Sequence, residues 1–142
     1  MQDCPICSIV EGNEKSFTVF EDKKFIVFLD IRPLFLGHCL VAPKKHFPTI
    51  NDLPDNHIKS YFQLIQKISQ AIELSELGTG SFIAINNKIS QSIPHLHTHV
   101  VPRKYKDGLK GFFWPRLHKP DDKEMLRIQK LLQKICKANF DL

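Results

Sequence analysis

The sequence predicts an α+β fold, an antiparallel sheet of about five strands with two helices, in a single domain spanning residues 1–142. Three observations carry this expectation. Five short segments rich in Phe, Val and Ile are bounded by polar, Gly or Pro turns. Two longer segments repeat apolar residues at three- and four-residue steps, the spacing of one helix face. The order strand-strand-strand-helix-strand-strand-helix has too few crossover helices for a parallel doubly wound sheet, so an antiparallel sheet with helices on one side fits better.

Each element follows from local chemistry. Phe17–Phe20 and Phe25–Leu29, split by Glu21-Asp22-Lys23-Lys24, read as a hairpin with a polar turn. Gly37–Ala42 is a third strand, closed by Pro43. After Pro54 and Asp55, the residues Ile58, Tyr61, Phe62, Ile65, Ile68 and Ile72 give a helix from about Asn56 to Leu77, stopped by Gly78 and Gly80. Ser81–Asn86 and Leu96–Val101 are two more strands around the loop Asn87–Pro94. Lys104–Lys119, with Gly108, Gly111 and Pro115 around Phe112-Phe113-Trp114, reads as a loop. A second helix follows Pro120, with Asp121 as cap, Glu124 completing a capping box, and Met125, Ile128, Leu131, Leu132 and Ile135 as its apolar face.

Composition narrows the function. Hydrophobic residues at 42% against 25% charged exclude a disordered chain. No stretch reaches the roughly 20 apolar residues needed to cross a bilayer, and residues 1–5 lack a basic head and apolar run, so a cytoplasmic location is expected. Four cysteines are too few for a disulfide scaffold; Cys39 and Cys136 read as buried apolar fillers. The tail from residue 103 carries 11 basic against 5 acidic side chains. That charge either steers polyphosphates or forms a solvated lysine-rich face, and a nucleic-acid partner is not expected.

The run His95-Leu96-His97-Thr98-His99 carries the chemistry. Alternation along a strand puts the three histidines on one face, about 6.6 Å apart at roughly 3.3 Å of rise per residue. They could form a metal site, a catalytic row, or both. Neutral imidazole attacks phosphorus and leaves again; charged imidazole binds phosphate oxygen; neutral imidazole also takes zinc.

This run resembles the histidine triad (HIT) family pattern His-φ-His-φ-His-φ-φ, φ being apolar, with Gln91-Ser92 before it and Pro102-Arg103 after. Asp3-Cys4-Pro5-Ile6-Cys7-Ser8-Ile9 is similar to the family's N-terminal start. Phe28-Leu29-Asp30-Ile31-Arg32-Pro33 and Gly37 to His46 are similar to its nucleotide-binding hairpin and central strand. The likeness covers residues 3–103, leaving 104–142 as a divergent basic loop and C-terminal helix. It implies a nucleotidyl hydrolase or transferase acting at the α-phosphate of a nucleoside phosphoramidate, purine nucleosides foremost, or of a dinucleoside polyphosphate. By the same likeness, His97 attacks phosphorus, His99 holds the phosphate oxygens and Ser92 contacts the leaving group. Asp30 takes the ribose hydroxyls unless it is an ordinary turn residue, and Phe28 and Ile31 flank the base. Asn86 and Gln91 are the remaining candidate nucleotide contacts. Thr98 replaces an apolar residue of the pattern, Ser90 replaces a glycine, and Ala84 stands where the family usually has asparagine. A homodimer is expected from the resemblance alone.

Cys4-Pro5-Ile6-Cys7 has the gap that lets two thiolates grip one tetrahedral metal, although a redox pair uses the same spacing. The bacterial branch of the family, and the related galactose-1-phosphate uridylyltransferases, resemble this chain in pairing such cysteines with two histidines. That likeness implies a structural zinc held by Cys4, Cys7, His46 and His95. Two rivals remain: a hydrolase with all three triad histidines on a catalytic metal, disfavoured because no carboxylate stands near them in sequence, and a non-catalytic nucleotide- or partner-binding module. His38, His57 and His118 receive no role, and Trp114 could lid the site, anchor a dimer or simply pack.

Overall fold

The Phe-rich runs do form a hairpin. In the computed structural model, which describes residues 4–109 and 120–140, β1 (Thr18–Glu21) pairs antiparallel with β2 (Phe25–Leu29). Asp22 shapes the turn, its Oδ1 accepting the backbone N–H groups of Lys24 and Phe25, both at 2.7 Å. β3 (Cys39–Pro43), β4 (Gly80–Ile85) and β5 (Thr98–Arg103) complete a five-stranded antiparallel sheet in the order β1-β2-β3-β5-β4. The chain comprises two compact units, Met1–Asp107 and Gly108–Leu142.

Side-chain alternation sorts the sheet into two faces. Phe25, Val27, Cys39, Val41 and Val100 share a core with Tyr61, Ile65, Ile68 and Ile72 of α2 (Asp55–Leu74). Each such side chain, fully withdrawn from water, contributes about 1.5–3 kcal/mol. Phe62 belongs to the predicted stripe but is 45% exposed, at the edge of the face that α2 presents to the sheet. The helix ends three residues earlier than expected, because Glu76 takes a left-handed φ of 62° and reverses the chain before Gly78 is reached.

The other face corrects the expectation of helices on one side. Ile26, Phe28, Leu40 and Ala42 pack with Cys4 and Ile6 of a short N-terminal helix, α1 (Pro5–Val10) and its cap. Six residues carry little periodic signal, but Pro5 directly after the Cys4 cap is a helix start. In the second unit, α3 (Asp122–Phe140) is capped by Asp121, whose Oδ1 accepts the Glu124 N–H at 2.8 Å. The expected capping box is half made: the Glu124 carboxylate accepts from Arg127 at 2.7 and 2.9 Å instead.

Candidate active site and metal cluster

The triad is not one strand. β5 begins only at Thr98, so the reading of Leu96–Val101 as strand is corrected, and with it the single row of imidazoles. The register pairs Val41 with Thr98, which would set Leu96 opposite Pro43. Proline has no N–H to donate, so the ladder stops there. The Leu96 N–H donates instead to the Phe47 carbonyl at 2.6 Å, and His95 turns away from the strand direction. His95 and His99 consequently serve different sites, with His97 between them.

His95 is fully buried, and its Nε2 donates to the Pro43 carbonyl at 2.8 Å. That bond fixes the proton on Nε2 and leaves the Nδ1 lone pair free. Nδ1 lies 3.4 Å from Cys4 Sγ and 3.5 Å from Cys7 Sγ, while His46 Nδ1 lies 3.3 Å from Cys7 Sγ. All four donor atoms lie within 4.8 Å of one another. A tetrahedral zinc with bonds of about 2.3 Å to sulfur and 2.0–2.1 Å to nitrogen needs S···N separations of about 3.5 Å. The donor set and spacing therefore fit zinc. Cys4 Sγ also accepts the Cys7 N–H at 3.5 Å, a contact suited to a thiolate. Without a metal, burial, reinforced by the neighbouring Cys4, pushes the Cys7 thiol up to about 11. Burial pushes His95 down to about 4 against the opposing Pro43 bond, so its ring is neutral, as a ligand must be.

On the other side of His97 lies a cleft of about 420 Å³, within the range of small-molecule sites. α1 supplies Pro5, Ile6 and Ile9; the β2–β3 region supplies Phe28, Asp30, Ile31, Arg32 and Leu40; the segment before β5 supplies Ser92 and Ile93. His97 and His99 close the cleft. His97 Nδ1 donates to the His95 carbonyl at 2.7 Å, so its unprotonated nitrogen is Nε2. The His97 and His99 rings meet edge to face with centroids 5.0 Å apart. Burial, with His97 and His38 as lesser causes and Asp30 opposing, pushes His99 down to about 4. Asp30 Oδ1 accepts the Arg32 N–H at 2.8 Å, the ordinary turn role, while its Oδ2 lies 3.9 Å from His38 Nε2.

Of the residues singled out in sequence, Phe28, Asp30, Ile31, Ser92, His97 and His99 come together at the cleft, and Cys4, Cys7, His46 and His95 at the metal cluster. Asn86 and Gln91 are not among the described residues lining the cleft. The Gln91 carboxamide braces the loop instead, accepting from the Lys88 N–H at 2.8 Å and donating to the Pro48 carbonyl at 2.6 Å. In that loop Lys88 and Ser90 hold left-handed φ values of 67° and 56° without glycine. Sequence distance also misled on one point: a carboxylate, Asp30, does stand beside the triad. His38, given no role in sequence, is buried beside His99. Parity would have found it, since His38 precedes Leu40 by two and shares its face. His57, also given no role in sequence, is half-buried against Phe25 and Phe47. Asp3, Trp114 and His118, with residues 110–119 of the expected loop, lie outside the described residues.

Among the described residues no helix is long and apolar enough to cross a membrane. The family model for the HIT domain matches residues 11–106. The chain is similar to Protein hit of Bacillus subtilis, 34% identical over 126 residues that cover 85% of this chain and 87% of that one. It is also similar to an adenosine 5'-monophosphoramidase of Candida albicans, 28% identical over 142 residues, covering 96% and 93%. Among solved structures it resembles a zinc-bound histidine triad family protein of Mycobacterium smegmatis, with a TM-score of 0.72, 32% identity, and coverage of 97% of this chain and 99% of that one.

Proposed function

The chain belongs to the HIT domain family, and from that premise we propose that it is a nucleotidyl hydrolase or transferase working through a covalent nucleotidyl-histidine intermediate on His97. The observation that supports this most is the Nδ1–H···O=C bond from His97 to His95, which leaves Nε2 as the nucleophilic atom beside the cleft. Nε2 attacks the α-phosphorus, a P–Nε2 bond forms, and the P–N or P–O bond to the leaving group breaks. The positive charge then carried by the ring is relieved by the His95 carbonyl. The leaving group takes up a proton, with Ser92 at the cleft wall as its hydrogen-bonding partner. Water then attacks phosphorus as the P–Nε2 bond breaks, its proton goes to solvent and balances the one the leaving group took up, and the nucleoside monophosphate leaves with His97 restored.

Asp30 keeps its Oδ2 for ribose hydroxyls, which it can only accept from. Phe28 and Ile31 flank the base, and His99 holds a phosphate oxygen. The substrates that fit this apparatus are nucleoside phosphoramidates, purine nucleosides first, and dinucleoside polyphosphates, with a homodimer as the working form. Cys4, Cys7, His46 and His95 would hold zinc, which when bound supplies a structural tie between α1 and the segment leading into β5. With His95 committed there, the three triad histidines do not share one metal, which disfavours the rival metal-dependent hydrolase.

The test is a panel of adenosine 5'-monophosphoramidate and diadenosine polyphosphates, with and without inorganic phosphate, on the native protein and on His97→Asn. The native protein turns over at least one of them, and the variant loses roughly 10⁴-fold or more in kcat while remaining folded. Unchanged turnover by His97→Asn would sink the reading, while activity lost at once on chelation and restored by added metal would favour the metal-dependent hydrolase. Binding without turnover by the native protein would favour the non-catalytic module.

A further inference from the structure

His38 makes two ring hydrogen bonds with opposite demands. The Leu34 backbone N–H reaches its Nδ1 at 3.2 Å. A backbone N–H can only donate, so Nδ1 accepts and the ring proton of a neutral His38 sits on Nε2. Nε2 lies 2.9 Å from His99 Nδ1, whereas the nearest carboxylate oxygen, Asp30 Oδ2, is 3.9 Å away. The His38 proton therefore goes to His99 Nδ1, which must accept. The proton of a neutral His99 is left on Nε2, the nitrogen remote from His38.

We propose that His38 is a positioning residue that holds His99 in the Nε2–H tautomer, so that His99 offers the substrate phosphate a hydrogen-bond donor while His97 offers a lone pair. This rests on the phosphate-binding role given to His99 above. Two adjacent imidazoles at 5.0 Å between centroids would otherwise be free to exchange roles, and a lone pair aimed at an anionic oxygen repels it. The relay is anchored in backbone rather than in solvent. Leu34 belongs to the β2–β3 connection, which is closed by the Asp30 N–H donating to the His38 carbonyl at 2.9 Å and the His38 N–H donating to the Phe35 carbonyl at 3.0 Å. Gly37 makes the approach possible: its φ is 93°, and a Cβ there would stand 2.8 Å from Leu77 Cδ1. The same connection thus carries the ribose carboxylate and sets the proton on the phosphate-binding ring.

The relay also settles a competing use of these side chains. Asp30, His38 and His99 place one donor atom each within 4.8 Å, a spacing that could hold a metal. A metal at His38 Nε2 needs the lone pair that the Leu34 bond assigns to Nδ1, so the tautomer disfavours that site.

Long-range ¹H–¹⁵N NMR of histidine-labelled native protein reads both tautomers without any turnover, with His99→Asn used to assign the His99 signals. The expected result is protonated Nε2 on both His38 and His99; protonated Nδ1 on His99 overturns the proposal even if the enzyme is active. In His38→Phe, His99 is expected to shift toward the Nδ1–H tautomer. For whichever nucleotide the native protein turns over, kcat should fall about 10–100-fold with KM changed less than about 3-fold. His38→Gln, whose amide N–H can reach the same nitrogen, should restore most of the loss. An unchanged His99 tautomer in His38→Phe also overturns the proposal. Should that variant not fold, the native spectrum decides alone.

Discussion

Under α2, Tyr61 donates to the Val41 carbonyl at 2.8 Å and meets the Thr98 hydroxyl at 2.7 Å, so that two buried hydroxyls and a carbonyl satisfy one another. Under α1, on the opposite face of the sheet, His95, His97 and His99 each pair one ring nitrogen with the protein and keep the other for something else. Burial is similar on the two faces: Thr98 and His95 are both fully buried, and His97 is 5% exposed. What differs is closure. The α2 face is a finished network that fixes the sheet, and burial has raised Tyr61 far above the usual phenol range. The α1 face leaves valences open, toward a metal at His95 and toward the cleft at His97 and His99. A functional face is recognised here by hydrogen bonding that is half satisfied by design of the backbone, not by polarity as such.

Metal removal should separate the faces most. Elemental analysis is expected to find about one zinc per chain. Chelation should lower the free energy of unfolding by more than about 3 kcal/mol, a fraction of the roughly 10–16 kcal/mol that structural zinc contributes to small domains. Residual turnover by the folded fraction should persist, because His97 is not a ligand. Immediate loss of activity, restored by added metal, would instead favour metal-dependent hydrolysis.

Acid should come next, again acting on the α1 face. His95 and His99 titrate at about 4 in the fold against 6.5 in an unfolded chain, because burial disfavours their charged forms. Between pH 6.5 and 4 the unfolded state therefore binds protons that the fold refuses, and stability must fall as pH drops through that window. Urea midpoints of metal-stripped protein across it, compared with His99→Asn, measure the slope; the variant should have the shallower one.

The smallest effect belongs to the finished network. Thr98→Val should cost about 0.5–1.5 kcal/mol and Tyr61→Phe about 1–3 kcal/mol, the latter removing the buried hydroxyl that serves both the Thr98 side chain and the Val41 carbonyl. The double variant should cost less than the two together, since they share one bond. Thermal unfolding reads all three, and kcat should stay within about 2-fold, as neither side chain reaches the cleft.

How much of this was legible in the sequence follows the same division. The α2 core was readable because Tyr61, Ile65, Ile68 and Ile72 repeat at helical spacing and the strands alternate. The family motifs singled out Cys4, Cys7, His46 and His95, whose donor atoms lie together, even though α1, which carries one of the cysteines, gives almost no periodic signal in six residues. Strand alternation failed at the triad because Pro43 lies across the ladder from Leu96 and delays the start of β5 to Thr98, two residues later than expected, dividing His95 from His99. Asn86 and Gln91 stand outside the cleft lining for a related reason. Their loop turns on left-handed Lys88 and Ser90, and no pattern marks non-glycine residues that will adopt that conformation. His38 escaped because its importance lies in the proton it holds, which depends on the Leu34 N–H and so on the tertiary fold.

The most direct measurement is rapid-quench mass spectrometry during turnover of a slow-leaving nucleoside phosphoramidate. The expected result is a nucleotidyl group on the peptide containing His97, absent from His97→Asn and formed fast enough to account for kcat. Steady turnover with no adduct at any time point, or an adduct on His95 or His99 instead, would contradict the division of the triad into one ligand, one nucleophile and one donor.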